Sequence, residues 1–579
     1  MDRPPLLHPL QVQSTGQRTG GARVSGNARR FREPDPGYAA MKAHRPDRPD
    51  IGAGIGGLNP DAPGRAFVRP NLASRSDKMS AHDRTRDGSD ALAYQDLQQF
   101  LSVLEAQGEL RTIHEPISPR LEVSEICDRV VKKGGPALLF THLTRSGGGR
   151  YAMPLLINAF GSERRMALAL ETPRLDDLAA DIASFLEPEV PESLLGKLQM
   201  VPKLARLGAL QPRRVSQAPC QEVIETKNPS LADIPIITCW PMDGGPYITL
   251  PMVFTRHPER GTRNIGMYRL QVFDDRTLGM HWQRHKGGAE HHRVAEARGE
   301  RLPVAIALGP DPSVIYAATA PLPPEIDELM LAGFIRKKSV DLVRCVTVDL
   351  EVPAQSQIVL EGYVEPGERR TEGPFGDHTG FYSLADDYPV FHLTAVTRRR
   401  DPVYPTIIVG PPPMEDAWLG LATERLFMPL VRKVLPEVID MWLPAEGIFH
   451  NLAILKIRKR YPGHGRKVIH AVWGLGQLMF TKIVVVVDED CDIRNPAELV
   501  WRVGTHIDPK RDLVVSEGPL DVLDFAGLAP SYGGKLGIDA TRKTREEGFT
   551  GEWPPIIRMD DEVRRRVDAI WPKLGLHER

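Results

Sequence analysis

Asn264-Ile-Gly-Met-Tyr-Arg-Leu-Gln-Val-Phe273 is the stretch on which the fold turns. Met267–Phe273 has the apolar and alternating texture of a strand, and Asn264–Arg269 lies at its start. In a regular strand Asn264, Gly266 and Tyr268 share one face and Arg269 takes the other. By itself this is equally an ordinary strand with a surface arginine. Similar runs surround it at Met252–Thr255, Val304–Ala307, Val343–Val352, Gln357–Glu361 and His392–Val396, separated by Gly, Pro or charged turns. Residues 215 to 405 therefore predict a mainly antiparallel barrel or sandwich. One helix interrupts it, Pro323–Arg336, with Ile326, Leu329, Met330 and Phe334 as its apolar face.

Outward from this region the texture becomes α/β. Tyr94–Gln107 reads as a helix with Leu97, Phe100, Leu101 and Leu104 on one face and Gly108 at its end. A second helix, Val123–Lys132, stops at Gly134-Gly-Pro136, and short strands follow at Ala137–Phe140 and Pro154–Ile157. After Gly410-Pro-Pro-Pro413, helices near Thr423–Leu435 and Pro496–Val503 flank the apolar run Lys482–Val487. A wholly apolar strand between helices predicts a parallel sheet covered on both faces. The last helix, Asp560–Leu574, is amphipathic and suits contact with another subunit. The predicted layout is a 92–212 N-terminal α/β domain, a 213–410 strand domain, a 411–558 C-terminal α/β domain and a 559–579 terminal helix. Residues 1–91, rich in Arg, Pro, Gly, Asp and Ser, carry no sustained apolar period. They read as a flexible tail or as a start taken too early, with Met79 the true one.

The bulk properties narrow the class. A chain of 579 residues is too long for one core. A net charge of −1 gives no electrostatic case for nucleic acid. The five cysteines are scattered without a CxxC pair, which argues against a disulfide framework or structural zinc and suits a reducing compartment. No apolar run approaches the roughly 18 residues of a membrane span.

Chemistry concentrates between residues 264 and 378. Glu372-Gly-Pro-Phe-Gly-Asp377-His378 places two carboxylates across a turn that Pro374 and two glycines bend away from helix and strand. Two acids and a histidine there could exchange protons; a solvated acidic turn reads equally well. His281-Trp-Gln-Arg-His285-Lys-Gly-Gly288 is basic and glycine-ended, as a phosphate-cradling loop would be. Glu328 lies on the polar side of the inserted helix, where a solvated carboxylate is the ordinary reading. Taken together, Asn264, His285 and Glu328 offer an amide oxygen, an imidazole and a carboxylate, a donor set for Mn²⁺ or Mg²⁺.

These motifs resemble the UbiD decarboxylases. The resemblance rests on Asn264–Arg269, His285-Lys-Gly-Gly288, Asp327-Glu328 before Ala332-Gly333, and Glu372–Asp377. It is supported by Asp349–Pro353, Ile358–Tyr363, Gly410–Asp416 and Lys535–Thr541, and covers residues 93 to 575. It implies an N-terminal α/β domain, a flavin-reductase-like split β-barrel and a C-terminal α/β domain. It implies prenylated FMN lined by Asn264, Met267, Tyr268, Arg269, His281, Trp282, Gln283, Lys286 and Gly287. Manganese would be held by Asn264, His285 and Glu328, with a potassium ion nearby. Arg269, Glu372 and Asp377 would be catalytic, acting through a covalent substrate–flavin adduct with Asp377 as proton donor. Donation requires that acid to be protonated near neutral pH; burial and the nearby Glu372 would raise its pKa, while Arg269 would oppose this.

The implied substrate is a prenylated aromatic acid of quinone biosynthesis. It would be 4-hydroxy-3-polyprenylbenzoate (ubiquinone) or a prenylated 1,4-dihydroxy-6-naphthoate (menaquinone). The resemblance also implies a flavin prenyltransferase as cofactor supplier, a homo-oligomer from dimer to hexamer, and a cytoplasmic location, peripheral at the membrane. The alternatives are a (de)carboxylase of another aromatic or α,β-unsaturated acid, a flavin-binding protein without chemistry, and a flavin reductase using plain FMN.

Overall fold

The computed structural model describes residues 94–186, 210–283, 286–322 and 326–576, all within one compact unit. The expected metal ligand His285, the start of the inserted helix at 323–325 and the 1–91 extension fall outside these residues.

The first layer is α/β. Helix α1 (Leu97–Ala106) buries Leu97, Phe100, Leu101 and Leu104 as its spacing demands, and Asp96 caps it by accepting the Gln99 N–H. With α2 (Glu122–Val131), α3 (Glu163–Ala169) and α4 (Leu175–Leu186) it accompanies strands β1 (Leu110–Ile113), β2 (Ala137–Phe140) and β3 (Leu155–Ile157). β1 and β2 run parallel, β2 and β3 antiparallel. The fourth strand of this sheet comes from beyond the next domain.

That next domain begins with β4 (Arg213–Arg214), β5 (Val223–Glu225) and β6 (Tyr247–Ile248). Then follow β7 (Met252–Arg256), β8 (Arg263–Met267), β9 (Leu270–Asp274), β10 (Thr277–Met280) and helix α5 (Gly287–Ala297). β11 (Leu302–Leu308), α6 (Pro312–Ala317), α7 (Glu328–Ile335), β12 (Asp341–Arg344) and β13 (Glu351–Pro353) precede a long hairpin of β14 (Ile358–Glu372) and β15 (Asp386–Arg398). Nine of these strands form one sheet in the order β6-β9-β10-β15-β14-β11-β7-β8, with β5 added on β15; every pairing is antiparallel.

β8 and β9 are consecutive in the chain yet lie at opposite ends of this path. Only Tyr268 and Arg269 join them, and three Cα steps reach at most about 11 Å. The sheet must therefore curl until its ends nearly meet, which makes it a split barrel. Met267–Phe273 is thus not the single strand its pattern suggests but two strands with a corner at Tyr268-Arg269. Val343–Val352 also divides: β12 and β13 pair with each other, and the reversal between them is held by Glu361, whose carboxylate accepts from Val346 and Thr347 N–H. On α7 the buried residues are Leu329, Ala332, Gly333 and Ile335, while Ile326 is exposed. Gly333 is needed there, since a Cβ would sit 2.6 Å from the Leu210 carbonyl oxygen.

β16 (Tyr404–Pro405) then pairs parallel with β3 and completes the first sheet. The last sheet contains β17 (Val438–Trp442), β18 (Leu452–Ile457), β19 (Ile483–Asp488), β20 (Leu513–Pro519) and β21 (Tyr532–Asp539), with helices α8 (Glu415–Val434), α9 (His464–Trp473), α10 (Pro496–His506) and α11 (Pro509–Asp512). Its order is β17-β18-β19-β21-β20; the three inner strands are parallel, as expected, and the two outer ones antiparallel. Val484, Val486 and Val487 of β19 are fully buried. α8 reaches back to the first layer: Glu415 accepts the N–H groups of Asn158 (2.9 Å) and Phe160 (2.8 Å). The terminal helix α12 (Asp561–Ile570) buries nothing and leaves Val567, Ile570, Trp571 and Leu574 exposed. No helix among the described residues is long and apolar enough to cross a membrane.

Candidate active site

The corner between β8 and β9 sends its two side chains to different places. Gly266 lets the Tyr268 ring fold back, because a Cβ there would lie 2.3 Å from the phenol. The Tyr268 hydroxyl meets Asn264 Nδ2 (3.4 Å) and accepts the Gly288 N–H (3.3 Å) at the start of α5. Arg269 points toward the end of β14, where Glu372 is the last strand residue.

The turn after Glu372 is held from several sides. Gln271 Oε1 accepts the Gly373 N–H (2.8 Å), and the Pro374 carbonyl accepts the Gly244 N–H (2.8 Å). Asp243 Oδ1 accepts the Gly376 N–H (2.8 Å). At Gly376 the backbone runs so close to Trp240 that a Cβ would lie 2.2 Å from the indole. The turn then closes on itself, with Asp377 N–H donating to Phe381 O and Ser383 N–H to Phe375 O.

Arg269 is the hub. Its Nε donates to Glu372 Oε1 (3.1 Å), Nη1 to Asp377, and Nη2 to Ser383 Oγ (3.2 Å). Its guanidinium also stacks on Phe375 at 4.7 Å. Glu372 is fully buried, and its other oxygen takes His281 Nδ1 at 2.9 Å. Burial would raise the Glu372 carboxyl, but the His281 bond and the Arg269 charge hold it down at about 2. Asp377 is also pushed up by burial, and Arg269 and His378 overcome this and hold it far below the usual range. Of the opposing influences on Asp377, the lowering ones prevail in the enzyme alone. Arg269 and His378 together outweigh the desolvation.

The other expected site residues divide into two groups. His281 and Trp282 sit beside the Arg269 network, and His281 Nε2 and Trp282 Nε1 are buried without a hydrogen-bond partner. Such orphaned polar atoms need a ligand to satisfy them, and a flavin with its phosphate supplies both acceptors and donors. α5 begins with Gly287 and Gly288, where a Cβ would strike Asn264 Oδ1 (2.0 Å) and Trp282 Nε1 (2.7 Å). Lys286 caps that helix N-terminus and is desolvated, its ammonium pushed down by burial. Together these residues suit an anionic cofactor.

Of the metal set, Glu328 opens α7, takes a hydrogen bond from the Ile265 backbone, and is pushed up to about 7 by burial. It lies against the same strand that carries Asn264. A desolvated carboxylate without a cation is the group a divalent ion would relieve. Among the described residues, the His, Cys, Asp and Glu donors close enough to share an ion are instead His378, His450 and Asp521.

Several residues at the site were not expected from sequence: Ser383 and Asp243 in the turn, Tyr247 and Gln271 beneath it, and Tyr388, whose ring lies 4.4 Å from His281. Asp416, half-buried and pushed up to about 7 by desolvation, faces His378 and Asp377. A lone Ser or Gln in a strand carries no signal of the turn it will hold.

Three domain profiles of 3-octaprenyl-4-hydroxybenzoate carboxy-lyase match in order: the N-terminal domain over residues 101–182, the Rift-related domain over 213–412 and the C-terminal domain over 417–540. An uncharacterised protein of Archaeoglobus fulgidus is 52% identical over 485 residues, 83% of this chain and 99% of its own. The UbiD-class enzyme HmfF from Pelotomaculum thermopropionicum, in complex with FMN, is 30% identical with a TM-score of 0.69, covering 81% of this chain and 98% of that one. The closed form of vanillic acid decarboxylase from Sedimentibacter hydroxybenzoicus is 27% identical with a TM-score of 0.72, covering 83% and 100%.

Proposed function

The chain belongs to the UbiD family of carboxy-lyases, and on that premise we propose that it decarboxylates an aromatic or α,β-unsaturated acid with prenylated FMN. The observation that carries this is Arg269 held between Glu372 and Asp377 in a buried network, next to the unpartnered atoms of His281 and Trp282.

Losing CO₂ from an sp² carbon leaves an electron pair that no side chain can hold; prenylated FMN, when bound, supplies the electron sink. The chain's own residues do the rest. Arg269 receives the substrate carboxylate in a bidentate fashion. That carboxylate competes with Asp377 for the guanidinium, so Asp377 loses its main counter-charge and its pKa rises. Asp377 then carries the proton that replaces CO₂. Glu372 stays on Arg269 Nε and His281, which keeps the guanidinium plane fixed. Met267, Tyr268, Arg269, His281, Trp282, Gln283, Lys286 and Gly287 hold the cofactor. Asn264, His285 and Glu328 would hold a manganese ion, which would neutralise charge on the bound cofactor, and a potassium ion would bind nearby.

For the substrate, the finer reading is a prenylated aromatic acid, 4-hydroxy-3-polyprenylbenzoate or a prenylated 1,4-dihydroxy-6-naphthoate. The match to a polyprenyl-hydroxybenzoate carboxy-lyase supports it. A small hydroxylated acid is the second reading, supported by the likeness to a vanillic acid decarboxylase. A flavin prenyltransferase would supply the cofactor, and the exposed apolar residues of α12 suit contact between copies.

The test is a decarboxylation assay of protein co-produced with a flavin prenyltransferase, against both prenylated acids and vanillate. CO₂ release that requires the prenylated flavin is expected. Equal activity with plain FMN and a nicotinamide would overturn the reading in favour of a reductase. Glu328→Ala should lose manganese by elemental analysis.

A further inference from the structure

Asp377 has no proton of its own to give. Its Oδ2 faces Arg269, and its Oδ1 accepts both the backbone N–H and the ring Nδ1–H of His378, each at 2.8 Å. A carboxylate between two cationic or donating groups is ionised. Decarboxylation nevertheless consumes one proton at carbon in every turnover. Arginine does not release protons in proteins. His378 is the only other titratable side chain hydrogen-bonded to Asp377 among the described residues.

The His378 ring spans two environments. Nδ1 is on Asp377, while Nε2 is buried and has no partner. The ring stands 5.3 Å from that of His450 in the C-terminal domain. His450 is built the same way. A hydrogen bond to the Ile448 carbonyl uses one ring nitrogen, and its Nε2 is also buried and makes no hydrogen bond. Asp521 completes the group, its carboxylate 3.8 Å from His450 Nε2. Ligand atoms of all three residues lie within 4.8 Å of one another. Exposure rises along the series, from 8% for the Asp377 side chain through 17% for His378 to 22% and 20% for His450 and Asp521. These groups form a graded path from solvent to a buried acid.

We propose that His378 is the proton relay for Asp377, refilled from solvent through His450 and Asp521. This rests on the decarboxylase reading. The proton balance is as follows. His378 gives its Nδ1 proton to Asp377 Oδ1 as the substrate carboxylate takes Arg269. The bond from carbon to carboxylate breaks and CO₂ leaves. The Asp377 proton goes to that carbon, a C–H bond forms, and Asp377 returns to carboxylate. His378, left neutral with its Nε2–H, rotates to carry the emptied Nδ1 to the His450/Asp521 side, takes up one proton there, and rotates back to restore the Nδ1–H on Asp377. One solvent proton enters per CO₂ released.

The electrostatics favour this direction. Burial pushes the His378 imidazole down, but the Asp377 bond and charge, with Asp416 and Asp521 beyond, raise it above its ordinary value. His450 goes the other way, to about 4, through burial and the charge of His378, so it is neutral and free to pass a proton. Lys286 adds a positive charge facing His450 and Asp521.

The test compares wild type with His378→Asn and His450→Phe, all loaded with prenylated FMN, in single-turnover and steady-state decarboxylation across pH. Asn keeps a donor for Asp377 but cannot relay. Wild-type kcat should fall on the alkaline side as the His378 proton is lost. His378→Asn should lose that limb and about 10²-fold in kcat, with partial rescue by added imidazole. His450→Phe should leave the first turnover near normal and slow the steady state. A wild-type-like pH profile in His378→Asn would overturn the relay. So would a bound equivalent of zinc in wild type that His450→Phe loses, because the cluster would then be a cation site. Wild type without CO₂ release would instead sink the decarboxylase reading itself.

Discussion

Asp377 stands between two networks built in opposite ways. On the barrel side the contacts between the charged groups are closed, and only the far nitrogen of His281 is left open: Arg269 uses Nε, Nη1 and Nη2, and Glu372 has both oxygens engaged and no exposure. On the side of the C-terminal domain, His378 and His450 each keep a buried nitrogen without a partner. The closed network draws its groups from one curled sheet and the turn that ends a strand. The open one is assembled from two domains. A saturated network fixes geometry and resists any change of charge, whereas one with spare lone pairs can accept and release a proton. The difference separates holding from transferring, on two faces of one carboxylate.

The comparison breaks most completely at Arg269. Arg269→Ala leaves Glu372 and Asp377 buried without their shared guanidinium, and removing one partner of a buried pair costs about 3–5 kcal/mol. The variant should show a lower urea midpoint and no measurable turnover; normal turnover would refute the role of Arg269. Asp377→Asn removes the junction while keeping its shape. It should lose about 10²-fold or more in turnover and still bind flavin, which the visible spectrum reports.

A smaller effect sharpens the closed side. Glu372 has its pKa lowered from 4.5 to about 2, so the stability it contributes is complete above pH 4.5 and drains away as the pH falls toward 2. Asp377 acts in the same direction. Glu372→Gln should flatten the fall of unfolding free energy with acid in that window, measured by urea midpoints at successive pH values; an unchanged slope would place the acid sensitivity elsewhere. The smallest effect is expected from deleting residues 559–579. α12 buries no side chain, so the melting temperature of a dilute sample should not move, while any self-association through that helix should be lost.

Much of this was legible before any coordinates. The spacing of Leu97, Phe100, Leu101 and Leu104 marked α1, and the unbroken valines of β19 marked a buried inner strand. Both signals are local, and burial reads them directly. Val343–Val352 misled because its alternation fits a strand, while the reversal is imposed by Glu361 from another strand. The corner at Tyr268-Arg269 was hidden for a related reason: it follows from closing the sheet, not from any turn residue. At the site, Arg269, Glu372 and His281 could be named from their motifs. The protonation of Asp377 could not, since it depends on which of three opposing influences is nearest. His378 could be read only as one of three groups able to exchange protons; the relay proposed for it needs His450 and Asp521, far along the chain.

The pairing of β16 with β3 bears on how the protein is made. Chains leave the ribosome N-terminus first, and domains generally fold as they emerge. Here the first sheet cannot be completed until the whole barrel has been synthesised, and the N–H groups of Asn158 and Phe160 wait longer still for Glu415. The nascent N-terminal segment therefore carries an unfilled strand position throughout translation of the barrel. Released as a fragment ending before Tyr404, it should be prone to pairing with the wrong strand, whereas the complete chain closes the gap itself.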